Sequence, residues 1–272
     1  MIHKKIIKIL LQPKQVISNR MPRKAPPPLQ IRIWNDLLGS LKEVLSIKSI
    51  ESLNNTTSVY GSTVNFDSQF IDPVLSELFL SNGTDKDRNG YSRIYSSLLA
   101  PLRNKPAILV EVGIGTNNPA LPSNMGATGI PGASLRAFSH YLGDSATCIG
   151  LDIDTSILFQ TNTIKTMFVN QLDRESFKEI EDYLTHSNGA DLIIDDGLHR
   201  PISCINTIIA LLRHLRLGGY YIVEDQDPTL HEYWNFVLSQ LGAEFSSSVI
   251  YTRDDVIVVV VSRLRKSELN LS

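Results

Sequence analysis

The chain lacks most of the features that would place it in a special class. It has only 2 cysteines in 272 residues, and Cys148 and Cys204 form no CxxC pair, so a disulfide framework and a cysteine zinc site are both disfavoured. It also lacks net charge: the balance is −2 at pH 7, which offers no electrostatic ground for a nucleic-acid partner. Long apolar runs are missing too. The run Val256 to Val261 falls far short of the ~20 residues that span a bilayer. The opening "MIHKKIIKILLQPKQVISNR" has basic residues before an apolar run, but Lys8 interrupts that run and no small-residue cleavage site follows. The expectation is a cytoplasmic chain with two reduced, buried thiols and no stable membrane insertion.

What is present is ordinary globular material, 42% hydrophobic and 20% charged, long enough for one main domain with an added segment. Residues 1–30 read as a flexible basic tail ending in the proline-rich "PRKAPPPLQ", because proline fixes φ and removes donors. Residues 31–104 read as a helical lead-in. Apolar residues recur at helical spacing from Ile31 to Leu53, and "DPVLSELFL" and "YSRIYSSLLAPL" suggest two further short helices. From 105 to 265 apolar runs alternate with amphipathic stretches, the mark of a βαβ series.

Strands are expected at Ile108 to Val112, Thr147 to Leu151, Thr166 to Val169, Leu192 to Ile194, Tyr220 to Val223, Glu244 to Tyr251 and Val256 to Val261. Helices are expected to start near Ala133, Ser156, Arg174 and Pro201, with a last one around Leu230 to Leu241. The final two strands have no helix between them and read as a hairpin turning at Arg253-Asp254-Asp255. The predicted fold is α/β: a Rossmann-like, doubly wound, mostly parallel seven-stranded sheet closed by an antiparallel hairpin, a closing pattern that resembles the sheet of class I methyltransferases.

"ILVEVGIGTNN" is an apolar strand running into a glycine turn, where a doubly wound sheet receives a nucleotide-like ligand. Gly113 and Gly115 would let the backbone turn tightly and approach that ligand. A dinucleotide fingerprint wants a third glycine at position 118, where this chain has Asn118. "CIGLDID" ends a second strand in Asp152, placed to accept hydrogen bonds from ribose hydroxyls, a device shared by nicotinamide and S-adenosylmethionine enzymes. Asp154 reads as a helix cap. "FVNQLD" brings Gln171 and Asp173 to the same rim, where an adenine would lie, although Asp173 serves equally well as the cap of the helix that follows.

Taken in order, E-V-G-x-G-T, G-L-D-I-D, N-Q-x-D, I-D-D-G-x-H and L-R-x-G-G-Y-Y-I-V-E-D resemble the metal-dependent sugar O-methyltransferases of macrolide tailoring. More loosely, they resemble the cephalosporin-hydroxylase and rhamnosyl O-methyltransferase group. The resemblance covers about Asn82 to Trp234, since "GTDKDRNGYSRIY" is similar to the segment that family places before its first strand. It implies S-adenosyl-L-methionine as cofactor, and it adds Glu111 and Asp195 to the cofactor side beside Gly113, Gly115, Asp152, Gln171 and Asp173.

Asp196 follows the fourth strand and Glu224-Asp225 the fifth. Neighbouring parallel strands end side by side, so these acids converge at one rim. Three carboxylates in one cleft repel unless a cation joins them, and a hard divalent ion such as Mg2+ suits oxygen ligands. The bland alternative is that Glu224 and Asp225 cap the helix after Pro228 and Asp196 the helix after Pro201. The resemblance favours the metal, with Asp196 as ligand and Asp195 set apart because alternate strand residues point to opposite faces.

It also makes His199 the base, since an imidazole ordinarily titrates near neutral pH and a sugar hydroxyl must lose its proton to accept a methyl group. His231, Tyr233 and Trp234 fit either a sugar site or the core. The long stretch from Thr116 to Ala133 is expected to close over cofactor and acceptor. The expected acceptor is a small molecule or glycan, with no nucleic acid, and self-association into a homo-oligomer is left open. The competing readings are a nicotinamide-dependent oxidoreductase and a catalytically silent binding subunit.

Overall fold

The computed structural model describes residues 70–253 and 256–265. The expected tail at 1–30, the helix over 31–53, and Asp254 and Asp255 of the expected hairpin turn lie outside the described residues. Among the described residues seven strands form one sheet: β1 (Ile108–Val112), β2 (Thr147–Asp152), β3 (Ile164–Phe168), β4 (Ala190–Asp195), β5 (Leu215–Gln226), β6 (Phe245–Arg253) and β7 (Val256–Arg263). Their spatial order is β3-β2-β1-β4-β5-β7-β6. The first five pair in parallel, and β7 runs antiparallel to both β5 and β6.

The place of β7 follows from its composition. Ile257 to Val261 are five consecutive apolar residues, each no more than 1% exposed, and such a run needs cover on both faces, which an edge position with solvent beside it does not give. The chain therefore doubles back to insert β7 between β5 and β6 rather than adding it outside.

Among the described residues six helices cover the sheet: α1 (Pro73–Asn82), α2 (Ser92–Leu99), α3 (Ala133–Leu142), α4 (Lys178–His186), α5 (Pro201–Leu211) and α6 (His231–Leu238). The first three share a core with Leu109, Leu192, Ile194 and Ile222, so the described part of the lead-in belongs to the same packed unit as the sheet. The last three pack on the opposite face against Val110, Val112, Ile193 and Val223. Strand alternation thus separates two layers. Asp72 and Pro73 start α1, the Asp72 carboxylate accepting from Val74 N at 2.9 Å, and Gly83 ends it at φ 79. Phe79, Tyr95 and Phe138 lock α1, α2 and α3 together in edge-to-face contacts.

One expected helix is absent. The stretch after Ser156 forms only a single 3-10 turn, Thr155–Ile157, before the chain enters β3. Leu158 and Phe159 then pack on the core, and Gln160 pairs with Lys165 across an isolated bridge, which uses up the chain a helix would need. Near Arg174 the chain first makes a 3-10 turn (Arg174–Phe177), and the α-helix begins at Lys178. Among the described residues no helix is long and apolar enough to cross a membrane.

Candidate active site at the strand tips

The ends of β1, β2, β4 and β5 open on a cleft of about 470 Å3, within the range that holds a small molecule. Its floor is the turn after β1. Gly113 and Gly115 sit at φ 84 and φ 81, a left-handed conformation that favours glycine. Both line the cleft, but the chain itself imposes the glycines. A Cβ at 113 would come within 2.6 Å of Gly197 Cα, and one at 115 would collide with the Met125 side chain.

Asp152 also lines the cleft. It accepts from Ile114 N at 3.0 Å and Asp154 N at 2.9 Å, so the backbone of the glycine turn holds its carboxylate in place. Burial raises its pKa, against those hydrogen bonds. Asp154 caps the short turn through Ser156 N and accepts from the Thr116 hydroxyl. Gln171 reaches the cleft from the β3 tip. Its Oε1 accepts from Leu198 N at 2.7 Å, and its amide donates to Asp195 at 2.7 Å and Thr207 at 2.8 Å. Gln171 thereby ties the turn after β4 to α5.

At one end of the cleft Asp196, His199 and Asp225 stand together, each offering a ligand atom within 4.8 Å of the others. Asp196 Oδ1 lies 3.9 Å from His199 Nε2, and His199 Nδ1 is buried without a hydrogen-bond partner. Two of the three residues have left-handed backbones, His199 at φ 53 and Asp225 at φ 49. Strain of this kind, costing about 1–3 kcal/mol per residue, gathers at functional sites. The turn at Asp225 coincides with an irregularity in the β5–β7 pairing between Val223 and Gln226, a bulge that re-aims side chains. The capping alternative does not hold. Asp227 caps the turn at Pro228, and Ser203 with Arg200 closes the start of α5, so neither Asp196 nor Asp225 serves as a cap.

Behind this group lies a second, dry one. Lys86, 2% exposed, donates to Asp196 Oδ2 and to Glu224 Oε2 at 2.8 Å each and lies 3.4 Å from Glu111. Tyr95 donates to Glu224 and Tyr91 to Asp225. Burial works against the Lys86 charge, but the attraction of Asp196, Glu224 and Glu111 outweighs it and holds the ammonium well above its ordinary pKa. Burial, followed by the nearby acids, pushes up both phenols, so Tyr91 and Tyr95 remain donors. Glu111 is fully buried, and its pKa rises to about 7 despite Lys86.

Of the residues expected on the cofactor side, Asp152, Gly113, Gly115 and Gln171 line the cleft; Glu111, Asp195 and Asp173 do not. Glu111 faces the α1–α3 layer and Lys86, because it shares its strand parity with Leu109. Asp195 points the opposite way from Asp196, at 1% exposure, and serves as an anchor for Gln171. Asp173 accepts from Glu175 N as the cap of its turn.

Glu224, expected as a metal ligand, is 1% exposed and hydrogen-bonded by Lys86 and Tyr95, behind the group formed by Asp196, His199 and Asp225. Trp234 and Tyr233 are core residues, and His231 stacks on Tyr251 away from the cleft. The loop after the glycine turn contributes Thr116, Pro122, Ser123, Met125, Thr128 and Gly129 to the cleft wall.

Comparison with known proteins agrees with the topology. The chain is 29% identical over 164 residues to the 8-demethyl-8-alpha-L-rhamnosyl tetracenomycin-C 2'-O-methyltransferase of Streptomyces olivaceus, covering 60% of this chain and 39% of that protein. It is 28% identical over the same length to the L-olivosyl-oleandolide 3-O-methyltransferase of Streptomyces antibioticus. The chain therefore spans about two fifths of the length of the curated relatives it matches. No family model matches it.

Among solved structures, it superposes on the MycE methyltransferase of the mycinamycin pathway, in complex with Mg and SAH, with a TM-score of 0.56 at 23% identity, covering 72% of this chain and 56% of that one. The fold is that of a class I methyltransferase. In this methyltransferase fold the unanticipated residues are Lys86, Tyr91 and Tyr95. All three come from "GTDKDRNGYSRIY", a segment that resembles its counterpart in the sugar O-methyltransferases but in which no single residue signals burial.

Proposed function

We propose that the chain carries the catalytic core of an S-adenosyl-L-methionine-dependent, divalent-cation-dependent O-methyltransferase acting on a sugar hydroxyl of a glycosylated metabolite or glycan. The observation that carries this reading is the convergence of Asp196, His199 and Asp225 at one end of a cleft whose floor is the glycine turn with Asp152. The names of the two relatives, a rhamnosyl tetracenomycin-C 2'-O-methyltransferase and an L-olivosyl-oleandolide 3-O-methyltransferase, support it.

In this reading Asp152 accepts from the cofactor's ribose hydroxyls, its carboxylate pre-oriented by Ile114 N and Asp154 N. Gln171 shapes the adenine side of the cleft. Asp196 and Asp225 hold the cation. The fit is physical: an oxygen of each carboxylate and a ring nitrogen of His199 lie within 4.8 Å of one another. When bound, such an ion lowers the pKa of a coordinated hydroxyl, while S-adenosylmethionine supplies an electrophilic methyl group. His199 takes the hydroxyl proton as that oxygen becomes the nucleophile. The loop from Thr116 to Gly132 walls the cleft and limits water there. The partner is then a small-molecule or glycan acceptor rather than a nucleic acid. Two free, buried cysteines accord with a reducing, cytoplasmic setting.

Calorimetric titration tests the reading directly, with S-adenosylhomocysteine and NAD each added in the presence of Mg2+ and of a chelator. Binding of S-adenosylhomocysteine but not NAD is expected, whereas binding of NAD alone would replace it with an oxidoreductase. In His199→Ala, cofactor affinity should persist while turnover falls by about 10²–10⁴-fold; retained turnover removes the base assignment.

A further inference from the structure

We propose that Met125 is a cofactor-contact residue: its thioether packs against the sulfur-bearing 5' end of the adenosyl group and selects it over a 5'-phosphate. This inference rests on the cofactor reading of the cleft. Met125 sits in the long loop between β1 and α3, is 42% exposed, and lines the cleft. Its backbone is nonetheless pinned. Met125 N donates to Thr116 O at 2.8 Å, and the Asn117 amide donates to Gly126 O at 2.5 Å and Gly129 O at 3.0 Å, which ties the loop around Met125 to the residues that follow the glycine turn.

Two glycines seat the side chain. The place that a Cβ on Gly115 would take is filled by Met125 Cγ, Sδ and Cε. A Cβ on Gly129 would come within 2.5 Å of Met125 Cβ, an atom that cannot swing aside because it is bonded to the backbone. The thioether therefore covers the open side of Gly115 while its exposed face lines the cleft. Asp152 accepts from Ile114 N, so the ribose acceptor and the thioether are fixed to successive residues of one turn.

A nucleoside whose hydroxyls rest on Asp152 sends its 5' substituent along that turn. In phosphorylated nucleotides the substituent is a phosphate, which draws on the backbone N–H groups of a glycine turn. A thioether laid on Gly115 donates no hydrogen bond and takes the ground that a phosphate oxygen needs. In S-adenosylmethionine and its product the substituent is a sulfur bearing alkyl chains, and a polarisable apolar side chain suits it.

Peroxide footprinting read by mass spectrometry tests the contact on the full wild-type chain, with Met167, half-buried against the core on β3, as internal control. S-adenosylhomocysteine, at a saturating concentration set by calorimetry, should slow sulfoxide formation at Met125 several-fold and leave Met167 unchanged. Bound S-adenosylhomocysteine without protection of Met125, or with equal slowing at both methionines, overturns the Met125 assignment alone. No binding of S-adenosylhomocysteine overturns the cofactor reading with it.

Selection is read from a matched pair in chelator. 5'-Methylthioadenosine should bind wild type at least about tenfold more tightly than adenosine 5'-monophosphate, and a smaller difference overturns the selection. Two substitutions of similar size then separate an apolar contact from mere filling of the loop, with circular dichroism as the folding control. Met125→Leu should bind S-adenosylhomocysteine within about threefold of wild type and Met125→Gln at least about tenfold more weakly. Equal affinities in the two variants overturn the apolar contact. The footprint and the nucleoside pair use wild type alone, so they decide the matter if a variant does not fold.

Discussion

Replacing Glu111 by glutamine should stabilise the protein at alkaline pH and leave it nearly unchanged in acid. The side chain is fully buried, and burial raises its pKa from the ordinary 4.5 to about 7, with Lys86 at 3.4 Å offsetting part of the cost. A carboxyl whose folded pKa is raised favours folding while it keeps its proton. Its penalty is absent below about pH 4.5, grows as pH rises, and is complete above about pH 7. One pH decade is worth about 1.4 kcal/mol, so the interval amounts to about 3 kcal/mol. For a domain of this size that corresponds to roughly 6–12 °C in Tm.

Lys86 is not stranded in the variant, because it keeps Asp196 and Glu224 at 2.8 Å each. Thermal melts of wild type and Glu111→Gln between pH 4.5 and 8, both in chelator, supply the comparison. Other groups titrate in both proteins, so the difference isolates Glu111. A difference that stays constant across this range, or a wild type that gains on the variant as pH rises, would refute the reasoning.

Two further perturbations probe the cleft. Asp152→Ala removes an ionised acceptor and should weaken S-adenosylhomocysteine binding by about 10–100-fold, the equivalent of a charged hydrogen bond at about 1.5–3 kcal/mol; calorimetry showing unchanged affinity would move the ribose elsewhere. Gly113→Ala combines a left-handed backbone at φ 84 with a Cβ 2.6 Å from Gly197 Cα, and should cost at least about 2 kcal/mol in urea denaturation. A cost under about 0.5 kcal/mol would show that the turn after β4 yields freely.

Much of the fold was legible because strand signals are local. The apolar runs at Ile108, Thr147, Leu192, Tyr220 and Val256 each became a strand, and the missing helix between the last two marked the antiparallel pair β6–β7. The helix expected at Ser156 failed for a non-local reason: Leu158 and Phe159 are drawn onto the core beneath α3. The acids at the strand tips were legible as well, since parallel neighbours must end together, and period-two alternation separated Asp195 from Asp196.

The role of each acid was not legible. Glu224 and Asp225 are adjacent in sequence, yet one is sealed against Lys86 while the other opens on the cleft, because the backbone turns at Asp225 and the chain supplies a cation from 138 residues away. Gly113 shows the same division. Its need for glycine was readable, but the reason, the approach of the Asp196-Gly197 backbone, exists only once β1 and β4 lie side by side. By itself the sequence determined the order of strands and where the polar tips fall, since those depend on neighbours along the chain. Only the tertiary structure decided which carboxylates stay open for a ligand, because that depends on which distant donor reaches each one first.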